Sequence, residues 1–128
     1  MWKAVFTRDA DSCKEYARQA LATATSRKKD FFIGKYAGYD PLDDIFLSLE
    51  GSAMWAQYRL MLTNPPEGMR QDVVLEWLLQ RSASWSQEEG LAIFLLIDRL
   101  APGWQRDFFG KTLPRAFSYL RNVVDGKD

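Results

Sequence analysis

The densest acid cluster in this chain is Asp40, Asp43, Asp44 and Glu50. On a helix, Asp43 and Glu50 stand two turns apart and share one side. A hard cation takes several oxygen ligands at about 2–2.6 Å, more than two carboxylates on one rigid helix supply. The spacing of a calcium-binding loop is also absent. The cluster therefore reads as the acidic start of a helix, where carboxylates favour the helix dipole. Glu88, Glu89, Asp98 and Asp107 are further acid/base groups. Nothing in their spacing sets up the matched carboxylate pair that glycoside hydrolysis needs. The glycines occur singly, so no phosphate-binding loop is present.

Histidine is absent and Cys13 is the single cysteine. These two residue types perform most general-base, nucleophile and transition-metal work at neutral pH. A Ser-His-Asp triad, a Cys-His pair or a zinc cluster cannot be assembled within one such chain. The expectation is a protein that is not an enzyme, with no metal and no cofactor.

Binding is the remaining chemistry. The chain holds five Trp, five Tyr and eight Phe, each able to bury about 150–250 Å². Residues 30–40 read as a glycine-punctuated loop carrying Phe31, Phe32, Tyr36 and Tyr39. Aromatic loop residues suit recognition. With Trp55, Tyr58 and Trp85, and Glu50 as a polar member, they form the candidate binding set. The functional expectation is a non-enzymatic interaction protein, with a protein partner or self-association. An inhibitor of the immunity type belongs to this class. The alternative is a small apolar ligand held in an aromatic-lined helical pocket.

Charge narrows the partners. The 17 basic and 17 acidic residues cancel, which gives no signature of nucleic-acid or anionic-membrane binding. Residues 41–100 carry 4 basic and 9 acidic groups, whereas residues 1–40 carry 8 and 5. The acidic middle would suit a basic partner or the basic end of a second copy. The longest apolar run, Leu91 to Ile97, is far short of the ~20 residues a membrane span needs. A lone cysteine forms no intrachain disulfide, and no leader is apparent, so the expected compartment is the cytoplasm.

The elements that must position these residues are helical. Cys13, Tyr16, Ala17, Ala20, Leu21 and Ala24 share one face of a helix from about Asp9 or Asp11 to Lys28. Arg27, Lys28 and Lys29 would sit at the negative end of its dipole. Asp40 as N-cap and Pro41 after it open a long helix to about Leu62. Leu42, Ile45, Phe46, Leu49, Ala53, Ala56 and Leu60 make its expected inward stripe, with Gly51 as a close-packing point. A third helix covers about Arg70 to Arg81, with Val73, Val74, Trp77 and Leu78 inward. Ser86 and Glu89 fit a capping box at the start of the Leu91–Leu100 helix, which is apolar nearly all round and so the central buried one. A short turn at Trp104–Phe109 follows, then a last helix near Leu113 to Val124. Lys3–Thr7 is the one strand candidate. The expected fold is a single all-α domain over residues 1–128, five to six helices around a buried central helix.

The segment Leu49-Glu50-Gly51-Ser52-Ala53-Met54-Trp55-Ala56 resembles the Glu-Gly-x-Ala-x-aromatic helix of gluzincin-type zinc metallopeptidases. Glu89 to Phe94 and Leu100 to Trp104 are similar to helices that follow it in such enzymes. The resemblance implies that Glu50 corresponds to the third zinc ligand and that the small residues admit a neighbouring helix. The departure is the missing His-Glu-x-x-His, which supplies two ligands and the general base. What the resemblance implies here is a non-catalytic derivative, a metallopeptidase-like remnant, or the C-terminal piece of a larger ancestor.

Overall fold

The computed structural model describes residues 1–110 and 115–127. Among these residues it holds seven α-helices and two 3₁₀ turns, with no strand. The chain is thus all-α. Trp2–Phe6 is helix α1; the alternating Lys3–Thr7 segment coils, and Ala4 is buried against the core.

Helix α2 spans Ala10–Phe31, and the Asp9 side chain caps it by accepting from the Ser12 N–H at 2.7 Å. Cys13, Ala17, Leu21 and Ala24 are buried on the face that the sequence spacing marks. A 3₁₀ turn at Gly34–Tyr36 leads into α3, Asp40–Thr63. Tyr39 is the capping position, one residue earlier than expected, and Asp40 is left free to pair with Lys28.

Helix α3 turns the opposite way from the expectation. Leu47, Ser48, Gly51 and Met61 face the core with Asp44. Leu42, Phe46, Leu49, Ala53, Ala56 and Leu60 are exposed, and Ile45 is half-buried. The helix is apolar on both sides. The side that goes inward is the one whose small residues allow α5 to approach.

After a 3₁₀ turn at Gln71–Val73, α4 is only Val74–Leu79. Val74 and Leu78 are buried, Trp77 is half-buried and Val73 is exposed, because the irregular turn carries Val73 out of the helical register. Val74 and Leu78 join Met61 in a small satellite core.

Helix α5, Trp85–Leu100, is the central helix, with Leu91, Ala92, Ile93, Phe94, Leu96 and Ile97 inaccessible. Its cap is Ser84 rather than Ser86: the Ser84 hydroxyl accepts from the Gln87 N–H, and the Gln87 side chain accepts from the Ala83 N–H. Gln87 thus does the work expected of Glu89, and Ser86 is released for another contact. Helix α6, Gln105–Phe109, sets Trp104 and Phe108 against Phe94 at 5.2 and 5.1 Å between ring centroids.

Helix α7, Ala116–Asp125, buries Ala116, Phe117, Leu120 and Val124, and ends at Gly126 with φ 67°. That left-handed conformation suits glycine. The expected start at Leu113 lies outside the described residues. Among the described residues, no side chain of its own segment caps α7. Instead Ser48 accepts from the Ala116 N–H at 2.8 Å and Asp44 from the Phe117 N–H at 3.4 Å.

Helices α3 and α5 cross with their backbones in contact. A Cβ on Gly51 would lie 2.5 Å from the Gly90 carbonyl carbon, and one on Gly90 would lie 2.6 Å from the Gly51 Cα. Glycine at both positions is what permits the crossing.

Candidate functional site

The end of α2 and the turn after it bring four of the sequence-selected residues together. Phe31 stacks on Tyr36 at 5.5 Å and meets Phe32 edge-on at 5.2 Å. Tyr36 contacts Tyr39 at 6.5 Å. Phe31, Tyr36 and Tyr39 are exposed, and Phe32 is half-buried. This chain of rings forms because α2 runs three residues beyond Lys28, which turns Phe31 toward the 3₁₀ turn.

A cleft of about 350 Å³ opens beside it, between the end of α2 and the starts of α3 and α5. Phe31, Phe32 and Trp85 supply its apolar wall. Arg27, Lys28, Asp43 and Glu89 supply its polar wall. The Arg27 guanidinium lies 5.9 Å from the Trp85 ring centroid, a cation–π distance. Lys28 pairs with Asp43 at 3.0 Å and Asp40 at 3.1 Å. Burial pulls the Lys28 ammonium down, but its hydrogen bonds to Asp43 and Asp40 and the nearby Asp44 charge outweigh this and hold its pKa above the usual lysine value. Asp44 behaves differently: burial raises its carboxyl above the usual range, against the pull of Lys28 and the Phe117 N–H.

The other selected residues lie elsewhere. Glu50 and Asp43 do not act together. Glu50 accepts from Ser84 at 2.8 Å and from Ser86, which ties α3 to the start of α5. Trp55 packs edge-on against Trp104 at 4.9 Å in the main core, with its indole N–H unpaired among the described residues. Tyr58 packs on the satellite core. Asp98, an acid/base group on sequence, accepts from the Trp104 indole at 3.0 Å. Among the described residues no group of three or more Cys, Asp or Glu is arranged to hold a metal ion. No helix of the described residues is long and apolar enough to cross a membrane.

Sequence reasoning missed the outer face of α3. Phe46 is 53%, Leu49 49% and Leu60 62% exposed, with Leu42, Ala53 and Ala56 between and beside them. Tyr39 joins this stripe to the aromatic turn, so the two form one apolar surface. A helix with an apolar stripe beyond the face it packs inward signals that this second stripe is covered in use. That signal was present in the sequence. No protein-family model, no curated protein and no solved structure matches this chain.

Proposed function

We propose that this chain is a non-enzymatic interaction protein of the cytoplasm. It docks through the apolar surface that runs from the Phe31–Tyr39 turn along the outer side of α3. The observation that carries this reading is the two-sided apolarity of α3, one side packed on α5 and the other exposed. Contiguous exposed apolar patches beyond a few hundred Å² mark interaction sites in soluble proteins. The test is capture by the immobilised chain, compared with a Leu49→Glu/Leu60→Glu variant of matching circular dichroism. Loss of the bound species, whether other proteins or further copies, is the expected result. An unchanged binding profile overturns the reading.

The cleft favours a second reading, a small apolar ligand seated between Phe32 and Trp85. Its size falls at the lower end of ligand pockets. Ligand-induced change in Trp fluorescence that disappears in Trp85→Phe is the expected sign. Flat titrations across a broad apolar library discard it.

A further inference from the structure

We propose that the outer stripe of α3 pairs with the same stripe of a second copy, antiparallel and centred on residue 51. This rests on the interaction reading above and names its partner. Leu42, Phe46, Leu49, Ala53, Ala56 and Leu60 recur in alternating steps of four and three residues. That is the spacing of a coiled-coil seam, and all six are exposed. Tyr39, one step before Leu42, continues it. Their counterparts on the inner side, Leu47, Ser48 and Gly51, are buried against this chain's own core.

Shape selects the orientation. Antiparallel pairing about residue 51 sets Leu42 against the partner's Leu60, Phe46 against the partner's Ala56, and Leu49 against the partner's Ala53. Each bulky central side chain meets a small one, so the layers fill evenly. Parallel pairing would set Phe46 on Phe46 and Ala53 on Ala53, which gives a bulge beside a void. The helix dipoles select the same way, since antiparallel pairing opposes them and parallel pairing aligns them. Side-chain charge is neutral in this choice: Asp40 and Asp43 at the start of α3 pair with Lys28, and Arg59 near its end pairs with Asp98.

The area is sufficient. The seam is about 27 Å long at 1.5 Å per residue. Side chains of this size, about half exposed, offer on the order of 500–600 Å² per copy. Full coverage of both seams would bury up to about 1,100 Å², which reaches the ~1,000 Å² expected of a specific interface.

Light scattering of the full chain across low to high micromolar concentration tests this. The expected mass is twice 14.8 kDa. Phe46→Glu changes a side chain that is exposed in the single copy, so its fold should persist by circular dichroism. The substitution occurs twice in the pair and should weaken association by about 100-fold or more. Leu60→Glu is the second variant should Phe46→Glu fail to fold. Orientation is read by mild oxidation: Leu42→Cys mixed with Leu60→Cys should give a disulfide-linked heterodimer, and Leu42→Cys alone should not. Cys13 is buried and does not compete. A monomer at every concentration overturns the second-copy inference, and the capture experiment then decides separately whether the interaction reading also falls. A dimer indifferent to both Glu variants overturns the assignment to α3. Self-linking of Leu42→Cys overturns the antiparallel register.

Discussion

Gly51→Ala separates a local account of α3 from one based on packing, because the two differ in sign. In an isolated helix the change is stabilising by about 1 kcal/mol, since glycine costs backbone entropy and alanine does not. In this fold the new Cβ would stand 2.5 Å from the Gly90 carbonyl carbon, 2.6 Å from its Cα and 2.7 Å from its carbonyl oxygen. All three atoms are backbone of a buried helix, so no side chain can rotate away. The helices must separate by about an ångström, and this loosens the packing of Leu47, Leu91 and Phe94 around the crossing. Overpacking of this kind costs about 3 kcal/mol or somewhat more. The net expectation is a loss of about 2 kcal/mol after the helix gain. Urea unfolding followed by Trp fluorescence reads it as a lower midpoint at unchanged slope. Ser52→Ala, the next residue, is the control; it lacks such a backbone neighbour and should be neutral or slightly stabilising. A Gly51→Ala chain more stable than the parent by about 1 kcal/mol would refute the reasoning.

Four further outcomes follow from the polar contacts. Lys28→Met should lose about 2 kcal/mol near neutral pH by leaving the half-buried Asp43 without its cation. Because the folded-state pKa of Lys28 is raised, its contribution is fully present below 10.5 and is lost as pH rises through the folded value. Urea midpoints of parent and variant should therefore converge in strong alkali. Ser48→Ala should cost about 1–2 kcal/mol by orphaning the buried Ala116 N–H. Asp44→Asn should cost nothing at neutral pH, since the raised carboxyl favours the fold fully only below 3.8 and that contribution is lost as pH rises through its folded value; thermal melts across acid pH check the pair. Glu50→Ala should cost about 2 kcal/mol by stripping Ser84 and Ser86 of their shared acceptor, with Glu50→Gln costing less than half of that; denaturation midpoints again decide.

Elements with one apolar face were legible. Cys13, Ala17, Leu21 and Ala24 in α2, and Phe117, Leu120 and Val124 in α7, face inward where their spacing says. The apolar run of α5 had no polar side to expose and became the centre. Helix α3 was legible as a helix but not in its rotation. Its outer stripe is the more hydrophobic, yet it packs on nothing within the chain, and the inner side is chosen by the backbone contact at Gly51. Close approach selects small residues, and a hydrophobic pattern cannot see that. Asp44 and Ser48 were hidden for a related reason. Their burial depends on donors some seventy residues away, and no local pattern encodes those. In the candidate site, Phe31, Phe32, Tyr36 and Tyr39 came together because they are near in sequence. Trp85 joined them from α5 through tertiary packing, and Trp55 and Tyr58 turned to the interior.

The hydrogen bonds from α7 to Ser48 and Asp44 set an order of events during synthesis. Until residues 116 and 117 leave the ribosome, those two groups have no donor and the groove for Phe117 and Leu120 stays open. Helix α2 is held by α7 too: Arg18 donates to the Val124 carbonyl and Arg121 to Thr25, whereas the turn before α2 is held from α5, where Arg99 donates to the carbonyls of Thr7 and Arg8. Contacts that join the two ends must wait for loop closure. The core around Ser48 and Asp44 therefore closes only once α7 has been made.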